Sequence, residues 1–146
     1  MRFEDTLSRV LDELKSRFGN DLVSVVLFGS HARGNAHWHS DVDLLVVANN
    51  LPSGWRKQDA VALAIEELGL VLGQAVQIIL VSPGDVRYSV ESIAPLMLEI
   101  WDAHRCVFDP EGFFAAQITR FTQNMTERGA RKLRERVWEV PELVEA

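Results

Sequence analysis

Apolar residues recur at two periods along this chain, and the alternation between them sets its organisation. Phe3, Leu7, Val10, Leu11, Leu14 and Phe18 fall at helical spacing, and Gly19-Asn20 stops the run. Leu22 to Phe28 reads as a strand whose near-continuous apolar character predicts burial on both faces. Residues 30 to about 40 form a connection that opens with a short helical turn. Asp41 to Ala48 is a second strand, and Asn49 to Gly54 is a loop. Val61, Ile65, Leu68 and Leu72 mark a second main helix. Ala75 to Val81 is a third strand, closed by Ser82-Pro83-Gly84. Residues 84 to 105 read as helix interrupted near Pro95. Cys106 to Phe108 reads as a short edge strand that Asp109-Pro110 ends. Phe114, Ile118, Phe121 and Met125 mark a last long helix, broken at Gly129. The basic segment from Arg131 to Arg136 reads as a solvated helix face, followed by a tail with Pro141.

Helices that alternate with strands give the α/β class. The first strand ends where the second begins, so the two are antiparallel if they are neighbours. The expected fold is therefore a mixed β-sheet flanked by helices. The chain of 146 residues fits one domain. Residues 1–110 are expected to form its core and residues 111–146 a C-terminal helical extension of the same domain. No internal repeat or low-complexity linker is visible.

Charge narrows the partners. The net charge is −6, all of it within residues 1–110, while residues 111–146 balance to zero. An acidic core argues against broad contact with a nucleic-acid backbone. It still admits a small nucleotide whose charge a metal carries. No apolar run approaches the roughly 18 residues that span a membrane, and the N-terminus has no apolar signal core, so a cytoplasmic protein is expected. Cys106, the single cysteine, excludes an internal disulfide and a four-cysteine zinc site.

The candidate chemistry lies between residues 29 and 43: Gly-Ser-His-Ala-Arg-Gly-Asn-Ala-His-Trp-His-Ser-Asp-Val-Asp. Asp41 and Asp43 stand at the head of a buried strand and project to one face, about 6.6 Å apart along the chain. Such a pair is costly unless something positive sits there. Hard oxygen ligands favour Mg2+ or Mn2+. Gly29 lets the backbone approach a phosphate, Ser30 adds a hydroxyl, and a helix starting there adds positive potential. Arg33, one helical turn on, either reaches the outer phosphates or makes a surface ion pair. Taken alone, Gly29-Ser30 is a strand-ending turn and the aspartates a strand cap; their interval together favours a magnesium nucleotide. His31, His37 and His39 could suit zinc, but their irregular loop favours exposed histidines. Trp38 reads as packing beneath the loop, and Trp101 and Trp138 as packing residues. Arg128, Arg131, Lys132, Arg134 and Arg136 present a solvated face or a partner contact.

Val25 to Gly34 followed by Ser40-Asp41-Val42-Asp43-Leu44-Leu45-Val46 resembles the minimal nucleotidyltransferases of the DNA polymerase β-like superfamily. Their signature is Gly-Ser, ten residues, then Asp-x-Asp, which Gly29-Ser30, residues 31–40 and Asp41-Val42-Asp43 reproduce. The looser resemblance runs from the first helix to about Phe108. It implies transfer of a nucleoside monophosphate from a nucleoside triphosphate, ATP above all, to a hydroxyl, with release of pyrophosphate. Gly29 and Ser30, with Arg33 and Ser40 beside them, would bind the nucleotide; Asp41 and Asp43 would hold the metal and carry catalysis. The resemblance also points to a partner protein, a small helical toxin of the HEPN class modified with AMP, and leaves homo-oligomerisation open.

One position departs from the family. A third carboxylate is expected on the next strand, where this chain has Gln77. Glutamine can coordinate through its amide oxygen but cannot accept a proton at neutral pH. Asp85 or Glu91 would have to substitute, transfer would be slowed, or the chain is a nucleotide-binding or partner-binding module without turnover. An aminoglycoside-modifying transferase is a weaker alternative.

Overall fold

The computed structural model describes residues 2–37, 40–134 and 137–141. Strands β1 (Leu22–Phe28), β2 (Val42–Ala48), β3 (Val76–Val81) and β4 (Arg105–Phe108) form one sheet in the order β3-β2-β1-β4. β1 runs antiparallel to β2 and to β4, and β2 runs parallel to β3, so the sheet is mixed as the sequence predicts. β4 lies at the edge.

Both faces of the sheet are covered, which is why its central strands are almost continuously apolar. On one face Val25, Leu27, Leu44 and Val46 pack with Leu7, Val10 and Leu14 of α1 (Phe3–Phe18). Ile65 of α3 (Trp55–Val71) completes that layer. On the other face Val26, Phe28, Leu45 and Val47 meet three helices: α4 (Pro83–Glu91), α5 (Pro95–Asp102) and α6 (Phe113–Glu127). A four-residue helix, α2 (Ser30–Arg33), leaves β1 directly. No helix among the described residues is long and apolar enough to cross a membrane.

Short-range chemistry fixes the helices of the second face. Ser82 and Asp85 form a reciprocal capping box that starts α4. The chain turns at Ile93, a β-branched residue held at φ 50°, and Pro95 opens α5. Asp109 accepts hydrogen bonds from the backbone N–H groups of Phe114 and Ala115 at the start of α6 and from the buried Ser24 hydroxyl of β1. That carboxylate docks α6 onto the sheet at its positive end. Phe114 and Phe121 of α6 are fully buried.

The basic segment after Gly129 is not a helix face. Arg131–Arg134 is β5, which pairs antiparallel with β6 (Val137–Glu139) in a separate hairpin. The helical part of the expected extension is therefore α6 alone. Every residue of β5 is exposed, so its three cations suit a solvent-facing strand as well as a helix, and the lone Leu133 sets no apolar period to choose between them. Tertiary contact decides: Trp138 of β6 packs edge-on against Trp101, ring centroids 5.0 Å apart, and Arg131 pairs with Glu139 at 3.0 Å. Arg136 lies outside the described residues.

Candidate active site

β1 carries the chain to Phe28, which is the register partner of Asp43 on β2. The next residue, Gly29, adopts φ 73° and ψ −155°, a conformation essentially reserved for glycine. It releases the chain into α2, whose end is made by Gly34 in the left-handed region. A Cβ on Gly29 would collide with the Asp43 carboxylate. The missing side chain is therefore the space that the second aspartate occupies. Asp41 sits one residue before β2 and is exposed, whereas Asp43 is half-buried. Burial raises the Asp43 carboxyl above its ordinary range, the charges of Asp41 and Glu99 raise it further, and His31 acts in the opposite direction.

Gly29, Ser30, Arg33, Ser40 and Asp43 line a single open cleft of about 390 Å³ together with Glu99 of α5, whereas Asp41 is not among its lining residues. The loop that leads to the aspartates is pinned through Ser40. Its carbonyl lies 3.1 Å from His31 Nε2 and accepts from Gln74 Nε2 at 2.7 Å. Its hydroxyl accepts the His37 backbone N–H at 2.8 Å. His31 also stacks on Phe3, with ring centroids 4.4 Å apart. Its contacts are thus those of a loop clamp. Trp38 and His39 lie outside the described residues. Among the described residues no three of His, Cys, Asp and Glu converge on one point, and the Asp41–Asp43 pair remains the candidate donor set for a cation. Mg2+ commonly binds one or two carboxylates together with substrate phosphates, and this donor set fits that habit.

Arg33 makes an ion pair of a different kind from the surface pair open in the sequence. Its side chain is 8% exposed and meets that of Asp102 of α5, 12% exposed, at 3.1 Å. Asp102 also binds Lys132 of β5 at 3.3 Å. Burial alone would raise the Asp102 carboxyl, but hydrogen bonds from Arg33 and Lys132 outweigh it and hold the carboxyl below its usual range. A depressed carboxyl contributes stability above its unfolded value, about 3.9, and loses it as pH falls through the lower folded value. Tryptophan emission followed from pH 6 downward is expected to show the hairpin loosening below about pH 4. Asp102→Asn is expected to lack that transition.

A nucleotidyltransferase domain model matches residues 7–104, from within α1 to the residue before β4, with the whole Gly29–Asp43 segment inside it. The chain belongs to the nucleotidyltransferase domain family. Over 122 residues it is 39% identical to a protein of Methanocaldococcus jannaschii named "putative protein adenylyltransferase MJ1305", covering 80% of this chain and 82% of that one. Two solved structures share the fold. One is spectinomycin adenyltransferase AAD(9) from Enterococcus faecialis with ATP and spectinomycin. It has a TM-score of 0.59 and 13% identity, over 86% of this chain and 66% of that one. The other is a toxin-antitoxin with AMP-PNP, at TM-score 0.53 and 16% identity, over 88% of this chain and 94% of that one.

In this nucleotidyltransferase Gln77 is the register partner of Asp43 on the parallel strand β3, and it is exposed. Adjacent strands lie about 4.8 Å apart, so an amide stands beside the aspartate pair. Neither acid named as its substitute is available. Asp85 is committed to the capping box of α4, beyond the far end of β3. Glu91 is held by Arg120 at 2.8 and 3.1 Å. The carboxylate that does face the cleft, Glu99, carries no motif in the sequence. It is one acid on an amphipathic helix, and the Pro95 break that aims α5 was its only trace.

Proposed function

We propose that this nucleotidyltransferase moves AMP from ATP to an acceptor hydroxyl, with Mg2+ or Mn2+ held by Asp41 and Asp43. The observation that carries the proposal is the seating of the Asp43 carboxylate on the bare backbone of Gly29. That contact brings the Gly29-Ser30 turn and the Asp43 carboxylate into one cleft. A bound divalent cation would neutralise the phosphates and stabilise charge on the leaving pyrophosphate. Gly29 and Ser30 would position the outer phosphates, and Ser40 would keep the aspartate loop in place. The acceptor oxygen bonds to the α-phosphorus while the bond to the β-phosphate oxygen breaks. Pyrophosphate leaves with that electron pair, and the hydroxyl proton passes to a base. Gln77 cannot take it; Glu99, facing the cleft, can.

The name of the M. jannaschii relative favours an acceptor on a protein, and the toxin-antitoxin fold neighbour favours a partner chain, for which the family resemblance implies the HEPN class. A second reading, nucleotide binding without turnover, draws on Gln77 beside Asp43.

Calorimetry with ATP, with Mg2+ or with a chelator, tests the first step. Transfer of label from α-labelled ATP to protein in an extract of the source cells tests the second. Magnesium-dependent binding with labelled protein is the expected result. Binding without label or pyrophosphate release would favour the second reading, and no binding would overturn both.

A further inference from the structure

Glu99 and Arg33 border a second chamber as well as the cleft. It has a volume of about 360 Å³ and is walled by Pro95, Leu98 and Asp102 of α5 and by Val137 and Trp138 of β6. The two spaces therefore share a wall, and the second is completed by the hairpin. Its aromatic side is held in place. Trp138 packs edge-on against Trp101, which is itself tied through its indole N–H to Thr122 at 3.0 Å. The Lys132 ammonium lies 5.9 Å from the Trp138 ring centroid while it binds Asp102. A wall that is already ordered loses little freedom when a ligand arrives.

The lining selects its occupant by charge and shape. Glu99 lines the chamber with a carboxylate, while Asp102 beside it is already paired with Arg33 through one oxygen and Lys132 through the other. A carboxylate accepts hydrogen bonds and donates none, so a neutral group with N–H donors suits Glu99. Pro95, Leu98, Val137 and Trp138 supply the apolar and aromatic surface that a planar ring covers.

We propose that this chamber is the nucleobase subsite of the cleft and takes an amino-bearing heteroaromatic base against Trp138, with the triphosphate extending past Arg33 to Gly29 and Ser30. The proposal rests on the nucleotidyltransferase reading of the cleft. It gives the C-terminal hairpin a part in nucleotide selection.

The test compares ATP, UTP and inorganic tripolyphosphate, each titrated calorimetrically with Mg2+ against the full chain and its Trp138→Ala and Trp138→Phe variants. Stacking on an aromatic side chain is worth about 1–3 kcal/mol per base, so Trp138→Ala should weaken ATP by about 5- to 150-fold. Tripolyphosphate, which has no base, should bind both proteins alike. Trp138→Phe keeps a ring to pack on Trp101, and should hold ATP within about tenfold of the parent. UTP, whose base lacks an amino group, should bind the parent more weakly than ATP. An ATP affinity in Trp138→Ala within twofold of the parent would overturn the subsite and leave the nucleotidyltransferase reading intact. A loss of tripolyphosphate binding in step with ATP would overturn it as well. Failure of the unaltered protein to bind either ATP or tripolyphosphate would remove the cleft reading and the subsite together.

Discussion

Asp43→Asn is expected to abolish magnesium-dependent nucleotide transfer and, in the absence of divalent cation, to make the protein more stable. Both effects have one source. The Asp43 carboxylate is half-buried against Gly29 and is repelled by Asp41 and Glu99, and these forces raise its pKa. For a carboxyl raised in the folded state, stability falls as pH climbs from the ordinary carboxylate value through the raised one. The amide fills the same space without charge and removes that loss. The same substitution deletes a cation ligand. The charge stabilisation a bound cation supplies is worth several kcal/mol, so transfer should fall by about 10³-fold or more. Thermal unfolding in chelator at neutral pH should show a rise of a few degrees, and a Mn2+ titration should show lost binding. A variant that binds Mn2+ as the parent does would remove Asp43 from the metal site.

Gly29→Ala should produce the largest loss caused by a single methyl group. Its backbone conformation costs a non-glycine residue about 1–3 kcal/mol. The added Cβ also falls on the Asp43 carboxylate, so either the aspartate or the start of α2 must move. Gly34→Ala is the comparison. That glycine is also at positive φ, 79°, but a Cβ there meets nothing within 4 Å. Both variants should lower the unfolding midpoint, and only Gly29→Ala should also lose ATP binding in calorimetry. Equal ATP affinity in the two would mean that the contact with Asp43 has no role in the site.

Much of this arrangement was legible because local pattern and tertiary context agree. Val25 to Phe28 and Leu44 to Val47 are apolar at every position, which announces a sheet covered on two sides. The placement of Gly29-Ser30 at the end of one strand and the aspartates at the start of the next made the two strands antiparallel if neighbours, and they pair in that sense, with Phe28 opposite Asp43. Gln77 was placed from its strand pattern, and it pairs with Asp43 in register.

The other wall of the cleft was not legible. Glu99 and Asp102 are single acids on a short helix, 66 and 69 residues from the Arg33 they meet, and only the packing of α5 on the sheet brings them there. Arg33 was open between phosphate and an ion pair because its partner is that distant Asp102. The hairpin was hidden because Trp138, which anchors it, packs on Trp101, outside the segment itself.

Asp102 holds Arg33 of the cleft with one oxygen and Lys132 of the hairpin with the other. A phosphate that draws Arg33 toward itself must take it from Asp102, and the carboxylate is then freer to tighten on Lys132. The exchange also works in reverse, since the two equilibria share one group and thermodynamic reciprocity makes their mutual influence equal. A partner that grips the hairpin and disturbs Lys132 would alter nucleotide affinity by a given factor. Nucleotide would then alter the grip of that partner by the same factor.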